Sequence, residues 1–563
     1  MRSKITRVFI GAIVGILISS GSLTLLSTSA RADGLVFRDD FACYDTLNIP
    51  CSGYCGGIDV CLDSTGFFSQ INTTTIPSNG ARGYLYNRFD AFGNQVLPVA
   101  LFLPDTVSLD TIWRQNVRLY CFGNDFGTTA AVGSVENRGA DPIHPPWNIV
   151  AFLFDRLGAQ QGHPVCFDCD DPYGYPNHVF FGSGAINNAG VVGAVWYVEI
   201  DPPYEDSLYA RLYYPDGDSL GPCISLFQFP APHDPTNVIV WPRIGVADDN
   251  SFAVTWISDH SSRLYYIVIN SDGTPRCDVQ LVYPDIEGVR PGYRAPFHVD
   301  LAMEADGDFY IAWYAKYSGI GSPCLVQVLM RGFNADGTPK YDPMRIVDTD
   351  STRLPYTYGW GPYPSIDCDD SGNVLVAWSD GRDFRGYPDP FDPRNVYAQK
   401  IDPQGRLVGP NYRINNNLGN ACYLGENSMC DINNAGQAVI LWYNETGPCQ
   451  VSAQLIPYHD IGTFVPGDLN LDFKGNISDL VYLLTYLYSG KADSMNFWPK
   501  SLPDFNGDGK NGNITDVCYM VDYLFGTPTG PAPHTPYEGI REPLPLWPGP
   551  IGSPAKGVNP DEE

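Results

Sequence analysis

A two-part unit that recurs seven times constrains this chain more than any other feature. From about Asp59 to Gly462, the first part of each unit is a polar turn followed by an apolar strand, and the second part is a strand, a turn ending in glycine, and another strand. Two copies of the first part, at residues 63–71 and 126–135, lack a closing tryptophan. The other five end, at separations of 60, 57, 65 and 64 residues, in Trp196, Trp256, Trp313, Trp378 and Trp442. The seven turn glycines of the second part are Gly93, Gly158, Gly217, Gly273, Gly337, Gly405 and Gly462.

Each half of the unit predicts a β-hairpin, because glycine accepts positive φ at a tight turn. Two hairpins make a four-stranded sheet that cannot bury both faces alone, so neighbouring sheets must stack, and stacking in a closed ring protects the strand edges. The predicted fold class is therefore mainly β, a seven-bladed β-propeller over residues 33–465. Six or eight blades are the alternative count. We expect the aligned tryptophans to pack between blades, with a sugar-stacking platform as the alternative.

The two ends of the repeat predict how the ring closes. After Gly462 only residues 463–465 remain before Pro466, which is too short for an outer strand. Residues 35–37, Leu-Val-Phe, stand alone ahead of the first unit. We expect this segment to complete the seventh blade by pairing near Val451 to Leu455.

The N-terminus has the pattern of an export signal. Basic residues precede an apolar run from Val8 to Leu26, and residues 30–32, Ala-Arg-Ala, supply the small side chains that a signal peptidase requires. We predict a signal peptide over residues 1–32, with an uncleaved membrane anchor as the alternative. No second run of about 20 apolar residues follows, so no membrane span is expected after cleavage. The protein is expected to be secreted, in the extracellular medium or at the cell surface.

Charge and cysteine content narrow the function further. With 34 basic and 63 acidic residues, the net charge of −29 argues against a nucleic-acid partner, which needs a basic face for phosphate. Fifteen cysteines in an exported chain predict several disulfides, whose pairing the spacing does not reveal. The odd count leaves at least one thiol, for which buried Cys518 is the candidate.

Two acidic loops near the C-terminus have the spacing of EF-hand-type calcium sites. Residues 468–479 and 504–516 place oxygen side chains at loop positions 1, 3 and 5, a carbonyl at 7 and a carboxylate at 12, with one extra residue in the second loop. Two Ca²⁺ ions are therefore the expected cofactors. The predicted ligands are Asp468, Asn470, Asp472, the Lys474 carbonyl, Asn476 and Asp479 in the first loop, and Asp504, Asn506, Asp508, the Lys510 carbonyl, Asn513 and Asp516 in the second.

An amphipathic helix is predicted after each loop, ending near Gly490 and near Gly526, because apolar residues recur at the same offsets in both segments. This duplicated loop and helix, over about residues 467–526, resembles a dockerin, a calcium-binding module of extracellular bacterial proteins. The resemblance implies a small all-α module that binds two calcium ions and often docks onto a cohesin. Phe473 and the longer second loop depart from the usual pattern. Two alternatives are a module stapled by calcium without a cohesin partner, and a loop that folds without metal.

The predicted domain order is therefore a signal peptide at 1–32, the propeller at 33–465, the dockerin-like module at 466–527 and a proline-rich tail at 528–563. Because prolines exclude regular elements, the tail is expected to be extended and mostly disordered.

A search for catalytic motifs assigns no catalytic residue. The Gly-x-Ser-x-Gly match at residues 217–221 lies in a predicted hairpin turn instead of a strand-to-helix elbow. Acidic residues such as Asp367, Asp369 and Asp370 are interpreted as turn residues, which hairpins select for local hydrogen bonds.

The predicted function is a secreted binding or assembly protein, with a cohesin-like or cell-surface partner and a glycan as a further ligand. The alternatives are a carbohydrate-active enzyme, of glycoside hydrolase or sialidase-like type, and a structural cell-surface component. An enzyme would show two or three carboxylates converging within about 5 to 10 Å at one end of the central channel.

Overall fold

The computed structural model describes twenty-three segments of the 563-residue chain. They are residues 41–42, 59–75, 82–91, 95–96, 100–102, 118–136, 147–167, 178–199, 207–228, 239–258, 263–282, 295–317, 325–341, 345–347, 362–380, 395–415, 422–423, 429–444, 450–458, 461, 477–488, 513–525 and 540–541.

The described strands form seven antiparallel sheets, one for each sequence unit. Alternating apolar residues between glycine-containing turns make each unit fold into two successive hairpins. The chain begins with strand β1 (Phe41–Ala42). Blade 1 consists of β2 (Asp59–Leu62), β3 (Phe68–Thr75), β4 (Arg82–Phe89) and β5 (Ala100–Phe102), and blade 2 of β6 (Arg118–Gly123), β7 (Thr129–Glu136), β8 (Trp147–Phe154) and β9 (Gln160–Cys166). Blade 3 consists of β10 (His178–Ile186), β11 (Val192–Glu199), β12 (Ser207–Tyr213) and β13 (Ile224–Gln228), and blade 4 of β14 (Ile239–Val246), β15 (Phe252–Ser258), β16 (Arg263–Ile269) and β17 (Pro275–Leu281).

The other three blades follow in chain order. They are β18 (Ala295–Met303), β19 (Phe309–Tyr317), β20 (Leu325–Phe333) and β21 (Arg345–Ile346); β22 (Ser365–Cys368), β23 (Val374–Asp380), β24 (Asn395–Ile401) and β25 (Leu407–Arg413); and, in blade 7, β26 (Cys422–Tyr423), β27 (Cys430–Ile432), β28 (Gln437–Asn444) and β29 (Gln450–Pro457). Both β26 and β27 pair with β28.

The seven inner strands form a closed ring. Each inner strand contacts that of the next blade, from β2 through β6, β10, β14, β18, β22 and β27, and β27 contacts β2 again. The prediction of a seven-bladed β-propeller is therefore confirmed.

An N-terminal strand completes the seventh blade. Phe41 pairs with Ala453 and Ala42 with Ser452 in an antiparallel ladder, so β1 is the outer neighbour of β29. The partner strand is the predicted one, but the described pairing residues come after the proposed segment. Residues 35–37 lie outside the described residues. This pairing joins the two ends of the repeat within one sheet.

The hydrophobic core lies between blades instead of within them. Each core cluster combines residues of two adjacent sheets, so that Trp256 packs with side chains of blade 3 and Trp313 with side chains of blade 4. All five repeat tryptophans are at most 3% exposed. They therefore serve interblade packing, as predicted, and the alternative of a sugar platform on these residues is wrong.

The turn between the first two strands of each blade uses left-handed backbone at one position. Glycine occupies it in six blades, for example Gly127 with φ 81° and Gly372 with φ 79°, while blade 4 uses Asn250 with φ 63°. Asparagine is among the few other residues that tolerate this conformation, because its short side chain bonds locally.

Two helices follow the propeller where the periodicity predicts them. Helix α1 is Ile477–Tyr488 and helix α2 is Ile514–Phe525, and the two are in contact. The calcium-binding module to which they were assigned stays a prediction. Neither described helix has the length and hydropathy that a bilayer-spanning segment needs.

A short strand from the predicted tail joins blade 6. Strand β30 (Ile540–Arg541) pairs with the outer strand β25 through Leu407 and Val408. The rest of the tail lies outside the described residues.

The predicted disulfides are not seen among the seven cysteines whose side chains the structure describes, which are Cys61, Cys121, Cys223, Cys277, Cys368, Cys430 and Cys518. Cys518 is a thiol, as predicted, but it is half-buried instead of buried.

Candidate functional site

The inner strands surround a central cavity of about 160 Å³. Its polar lining consists of Ser183 from β10, Arg243 from β14, Asp300 from β18, Asp367 from β22 and Asp431 from β27. Asp367 therefore belongs to an inner strand, which corrects its assignment to a turn; the turn residue is Asp369, whose carboxylate accepts the Ser371 and Asn373 N–H groups.

The three channel carboxylates connect adjacent blades. Asp300 Oδ2 accepts the N–H of Ile366 at 3.2 Å, Asp367 Oδ2 that of Ile432 at 2.8 Å, and Asp431 Oδ2 that of Leu62 at 2.8 Å, each from the next blade.

Neutral hydroxyls make the same kind of connection elsewhere in the ring. The Ser183 hydroxyl accepts the Ile244 N–H, and the Ser365 hydroxyl accepts the Met429 N–H. Asp300 occupies the same place in its strand as these serines, so the connection there requires a hydrogen-bond acceptor and not a charge. Asp367 and Asp431 lie two residues nearer the turn. We assign all three acids to holding the ring together because each accepts a backbone N–H of the next blade.

Asp367 and Asp431 form a buried pair joined by a hydrogen bond. Burial raises the pKa of Asp367 to about 7. Burial and the neighbouring Asp367 charge raise the pKa of Asp431 well above its usual value. Asp431 is therefore the protonated partner and donates to Asp367, since two ionised carboxylates cannot share this site. A directly bonded pair also lacks the separation of about 5 Å or more that glycoside hydrolases need between their two carboxyl groups.

Cross-axis hydrogen bonds join the turns at one end of the channel. The Asn434 side-chain amide, from the turn of blade 7, donates to Asp370 of blade 6 and to Asp125 of blade 2. Because blade 1 separates blades 7 and 2, the contact with Asp125 reaches past a neighbouring blade.

Three aromatic side chains lie away from this turn end, near the start of the inner strands. Trp241, His298 and Tyr363 each precede the first residue of their turn by six positions, on blades 4, 5 and 6. Their φ angles are 49°, 45° and 44°. We call these three residues the aromatic row.

At Trp241 and His298 the backbone bulges out of regular strand pairing, whereas Tyr363 lies just ahead of β22. The ladder of β14 with β15 shifts between Val240 and Arg243, and that of β18 with β19 shifts between Phe297 and Val299. A bulge adds a residue that can turn its side chain out of the alternating pattern. Positive φ for bulky side chains costs of order 1–3 kcal/mol each, and such strain clusters at functional sites.

The side chains of the row contact one another in sequence. The ring centroids of Trp241 and His298 are 6.3 Å apart, and those of His298 and Tyr363 are 5.1 Å apart and nearly perpendicular. Tyr314 extends the cluster, with its centroid 6.3 Å from that of Tyr363. Trp241 is half-buried, whereas His298 and Tyr363 are buried. A ligand would therefore meet this cluster first at Trp241.

An ion pair lies next to the aromatic row, two residues further along the strands that carry Trp241 and His298. Arg243 Nε is 3.5 Å from Asp300 Oδ1, and Arg243 also donates to the Gly182 carbonyl at 3.3 Å. The site therefore combines aromatic surface, an imidazole and a compensated charge pair.

Three predicted calcium ligands fall within the described residues. Asp479 and Asp516 are fully buried at matching places in the first turns of α1 and α2. Asp516 Oδ2 accepts the Asn513 N–H at 2.8 Å, while Asn513 Oδ1 accepts the Thr515 N–H at 2.7 Å, which is a helix-capping arrangement.

The other predicted ligands are not in the described part of the chain, where no cluster of three His, Cys, Asp or Glu side chains has metal-binding geometry. Outside the described residues lie Asp468, Asn470, Asp472, Lys474, Asn476, Asp504, Asn506, Asp508 and Lys510.

Sequence reasoning missed the aromatic row and the channel acids. Aligning the seven inner strands back from their turns would have placed Asp367 and Asp431 at one position, where the other five blades carry uncharged residues such as Ala185 and Ala302. The positive φ of the aromatic row cannot be read from the sequence, because Trp, His and Tyr rarely adopt a positive φ.

No protein-family description and no curated protein matches the chain. Among solved structures it is similar to the Hadza microbial sialidase Hz136, at 8% identity and a TM-score of 0.37, covering 72% of this chain and 66% of that one. It is similar to an α-L-arabinofuranosidase from Fusarium graminearum, at 11% identity and a TM-score of 0.35, covering 76% and 100%. An ulvan lyase gives 11% identity and a TM-score of 0.41, covering 75% and 95%. Because every TM-score is below 0.5, we draw no conclusion about activity from these similarities.

Proposed function

We propose that the protein is an extracellular carbohydrate-active propeller whose site is the aromatic row. The observation that supports this most strongly is the left-handed backbone at the same position of three adjacent blades. Three separate costs of order 1–3 kcal/mol would not persist at matching positions unless the side chains were needed there. The row also lies away from the turns that Asn434 bridges.

The side chains of the row suit a sugar better than other small ligands. A pyranose or furanose ring has apolar C–H faces and hydroxyl groups at its edge. The half-buried Trp241 offers an apolar ring with a polar N–H, so it can pack on such a face and still bond to a hydroxyl. Arg243 is compensated by Asp300, so binding does not depend on an excess of positive charge.

His298 is the residue we assign to proton transfer. Its imidazole lies between Trp241 and Tyr363, and histidine is the most frequent general acid or base at neutral pH. The channel acids are left out of this role because each accepts a backbone N–H of the next blade.

The test is a panel of neutral and acidic polysaccharides incubated with the full chain. Product would be measured as new reducing ends, and as ultraviolet absorbance for unsaturated sugars. His298→Asn keeps a residue that tolerates positive φ but lacks an imidazole, so we expect a loss of at least about 100-fold in kcat. Trp241→Gly removes the ring without backbone strain and should raise KM.

The matched control is Phe126→Ala, which removes an exposed aromatic ring from a turn of blade 2 and should change neither parameter. The His298→Asn variant should unfold at the same temperature as the native chain or higher, because strain is relieved. Full activity in His298→Asn would refute the assignment of that residue.

A second candidate is the binding or assembly protein, favoured by the structural use of all three channel acids. Binding of a polysaccharide that Trp241→Gly abolishes, without any product from the native chain, would select this function over the enzyme.

We further propose that α1 and α2 belong to a calcium-binding, dockerin-like module that attaches the propeller to a cohesin-like or cell-surface partner. The support is the matched placement of Asp479 and Asp516, both fully buried in the first helical turn. Carboxylates are rarely buried without a compensating cation or hydrogen bonds.

Calorimetric titration of the full chain with calcium tests this module. We expect two sites, with Asp479→Asn weakening one and Asp516→Asn the other by at least about tenfold, because each loses a charged oxygen ligand. Asp522→Asn, an exposed carboxylate on α2, is the matched control. An isotherm that is the same in all four proteins would contradict the module.

A further inference from the structure

Two cysteines face each other between blades 1 and 2. Cys61 lies on β2 and Cys121 on β6, and their Sγ atoms are 3.3 Å apart. The side chains are buried, at 5% and 1% exposure. Each belongs to an inner strand, so the pair spans the interface between two blades instead of a single hairpin.

The close approach of the two strands depends on Gly123. A Cβ atom at that position would lie 2.5 Å from Cys61 Cβ and 2.8 Å from its Sγ, which no side chain allows. The other polar neighbours of the Cys61 sulfur are more distant, with Thr129 Oγ1 at 3.7 Å and the Ser69 carbonyl at 3.9 Å. The Cys121 sulfur is therefore the nearest hydrogen-bonding partner of Cys61.

We propose that Cys61 and Cys121 are the site of a disulfide that ties blade 1 to blade 2. The bond needs a movement of little more than 1 Å, because sulfurs joined in a disulfide are about 2.05 Å apart. The spacing of the fifteen cysteines does not reveal this pairing. It follows from the ring, in which the inner strands β2 and β6 lie side by side.

The oxidant for this step is a small or protein disulfide. The Cys61 thiolate attacks one sulfur of the oxidant, forms a mixed disulfide and releases one thiol; Cys121 then attacks the Cys61 sulfur and releases the second. Two protons leave the cysteines, and their two electrons reduce the oxidant to two thiols. The hydrogen bond from Cys121 lowers the pKa of the Cys61 thiol, which supports Cys61 as the attacking residue.

The crosslink ties blade 2 to blade 1, the blade that contacts blade 7 where the ring closes. The described contact across the closure includes the two-residue pairing of β1 and the bond from Leu62 N–H to Asp431. Blade 1 has an outer strand, β5, of only three residues. Crosslinking residues 60 positions apart restricts the unfolded chain and so favours the closed ring.

Peptide mapping of the native chain tests the proposal directly. The protein is isolated without reductant, treated with excess glutathione disulfide, alkylated in denaturant and cleaved before aspartate. Cleavage places Cys61 in residues 59–62 and Cys121 in residues 110–124, neither of which contains another cysteine. We expect these two peptides to be joined and to separate on reduction. Recovery of both as alkylated single peptides, or Cys61 joined to any other cysteine, would overturn the proposal.

Thermal unfolding provides a second readout. Reducing agent should lower the Tm of the native chain by roughly 5 °C more than it lowers that of Cys121→Ser. Cys430→Ser is the matched control, since Cys430 is also buried on an inner strand but faces the Ser365 hydroxyl at 3.3 Å; it should keep the full response to reductant. If Cys121→Ser does not fold, the peptide map of the native chain decides the question alone.

Discussion

Replacing Asp431 with asparagine is expected to stabilise the propeller at pH 8, seen as a higher denaturant midpoint of unfolding. In the native chain Asp431 keeps its proton when folded, because burial and the Asp367 charge raise its pKa, but loses it when unfolded. Asparagine copies the protonated carboxyl, since its amide donates to Asp367 and its carbonyl accepts the Leu62 N–H. The native chain must take up a proton on folding at pH 8, which costs free energy, and the variant does not.

The same pair predicts a pH dependence in the native chain. A carboxyl group whose pKa is raised by folding binds protons more tightly in the folded state, so its contribution is complete below the unfolded value of about 4. That contribution is lost as pH rises toward the folded value, which for Asp367 is about 7. Denaturant unfolding should thus show this stabilisation falling between about pH 4 and 7, and Asp431→Asn should flatten the fall.

The controls separate protonation from packing. Asp431→Ala removes the acceptor for Leu62 and the donor for Asp367, so it should destabilise at every pH by about 1–3 kcal/mol. The titratable groups facing the pair are Asp300, beside Asp367, and Cys61, beside Asp431, and both remain in these variants. A pH profile of Asp431→Asn that parallels the native one would show that the pair does not share a proton.

The fold could be predicted because its determinants are local and repeated seven times. A turn such as that at Gly372 needs left-handed backbone, and glycine in that place is visible in the sequence. The buried tryptophans mark the second strand of five blades in the same way. The strand that receives the N-terminal segment was predicted correctly. Which residues of that segment pair, here Phe41 and Ala42, depends on the register, and a ladder of two residues leaves no periodic pattern in the sequence from which to read it.

The site could not be predicted because its determinants lie between blades. Asp367 was interpreted as a turn residue since it stands two positions before Asp369, which does cap the turn. Its role is visible only with the neighbouring blade in place, where the Ile432 N–H donates to the Asp367 carboxylate. Likewise, nothing in the sequence around His298 shows that its backbone is left-handed or that Tyr363 lies against its ring.

Replacing Asp63 with alanine is expected to cost about 3–5 kcal/mol in the free energy of unfolding, because it leaves the Arg88 charge buried without its partner. Asp63 Oδ2 and Arg88 Nη2 are 2.6 Å apart, with side chains 2% and 3% exposed. Asp63 also accepts the Thr65 and Phe67 N–H groups in the first turn of blade 1. Urea unfolding at neutral pH measures the change.

Asp402→Ala is the control that distinguishes the contribution of a buried ion pair from the contribution of turn capping. Asp402 also accepts backbone N–H groups in its turn and pairs with Arg406 at 2.7 Å, but the Arg406 side chain is 41% exposed. Its loss should therefore cost only about 1 kcal/mol, since water replaces the missing partner. Arg88→Met combined with Asp63→Ala should recover part of the larger loss, because no buried charge then remains. Equal costs for Asp63→Ala and Asp402→Ala would mean that turn capping, and not the buried charge, accounts for the stabilisation by Asp63.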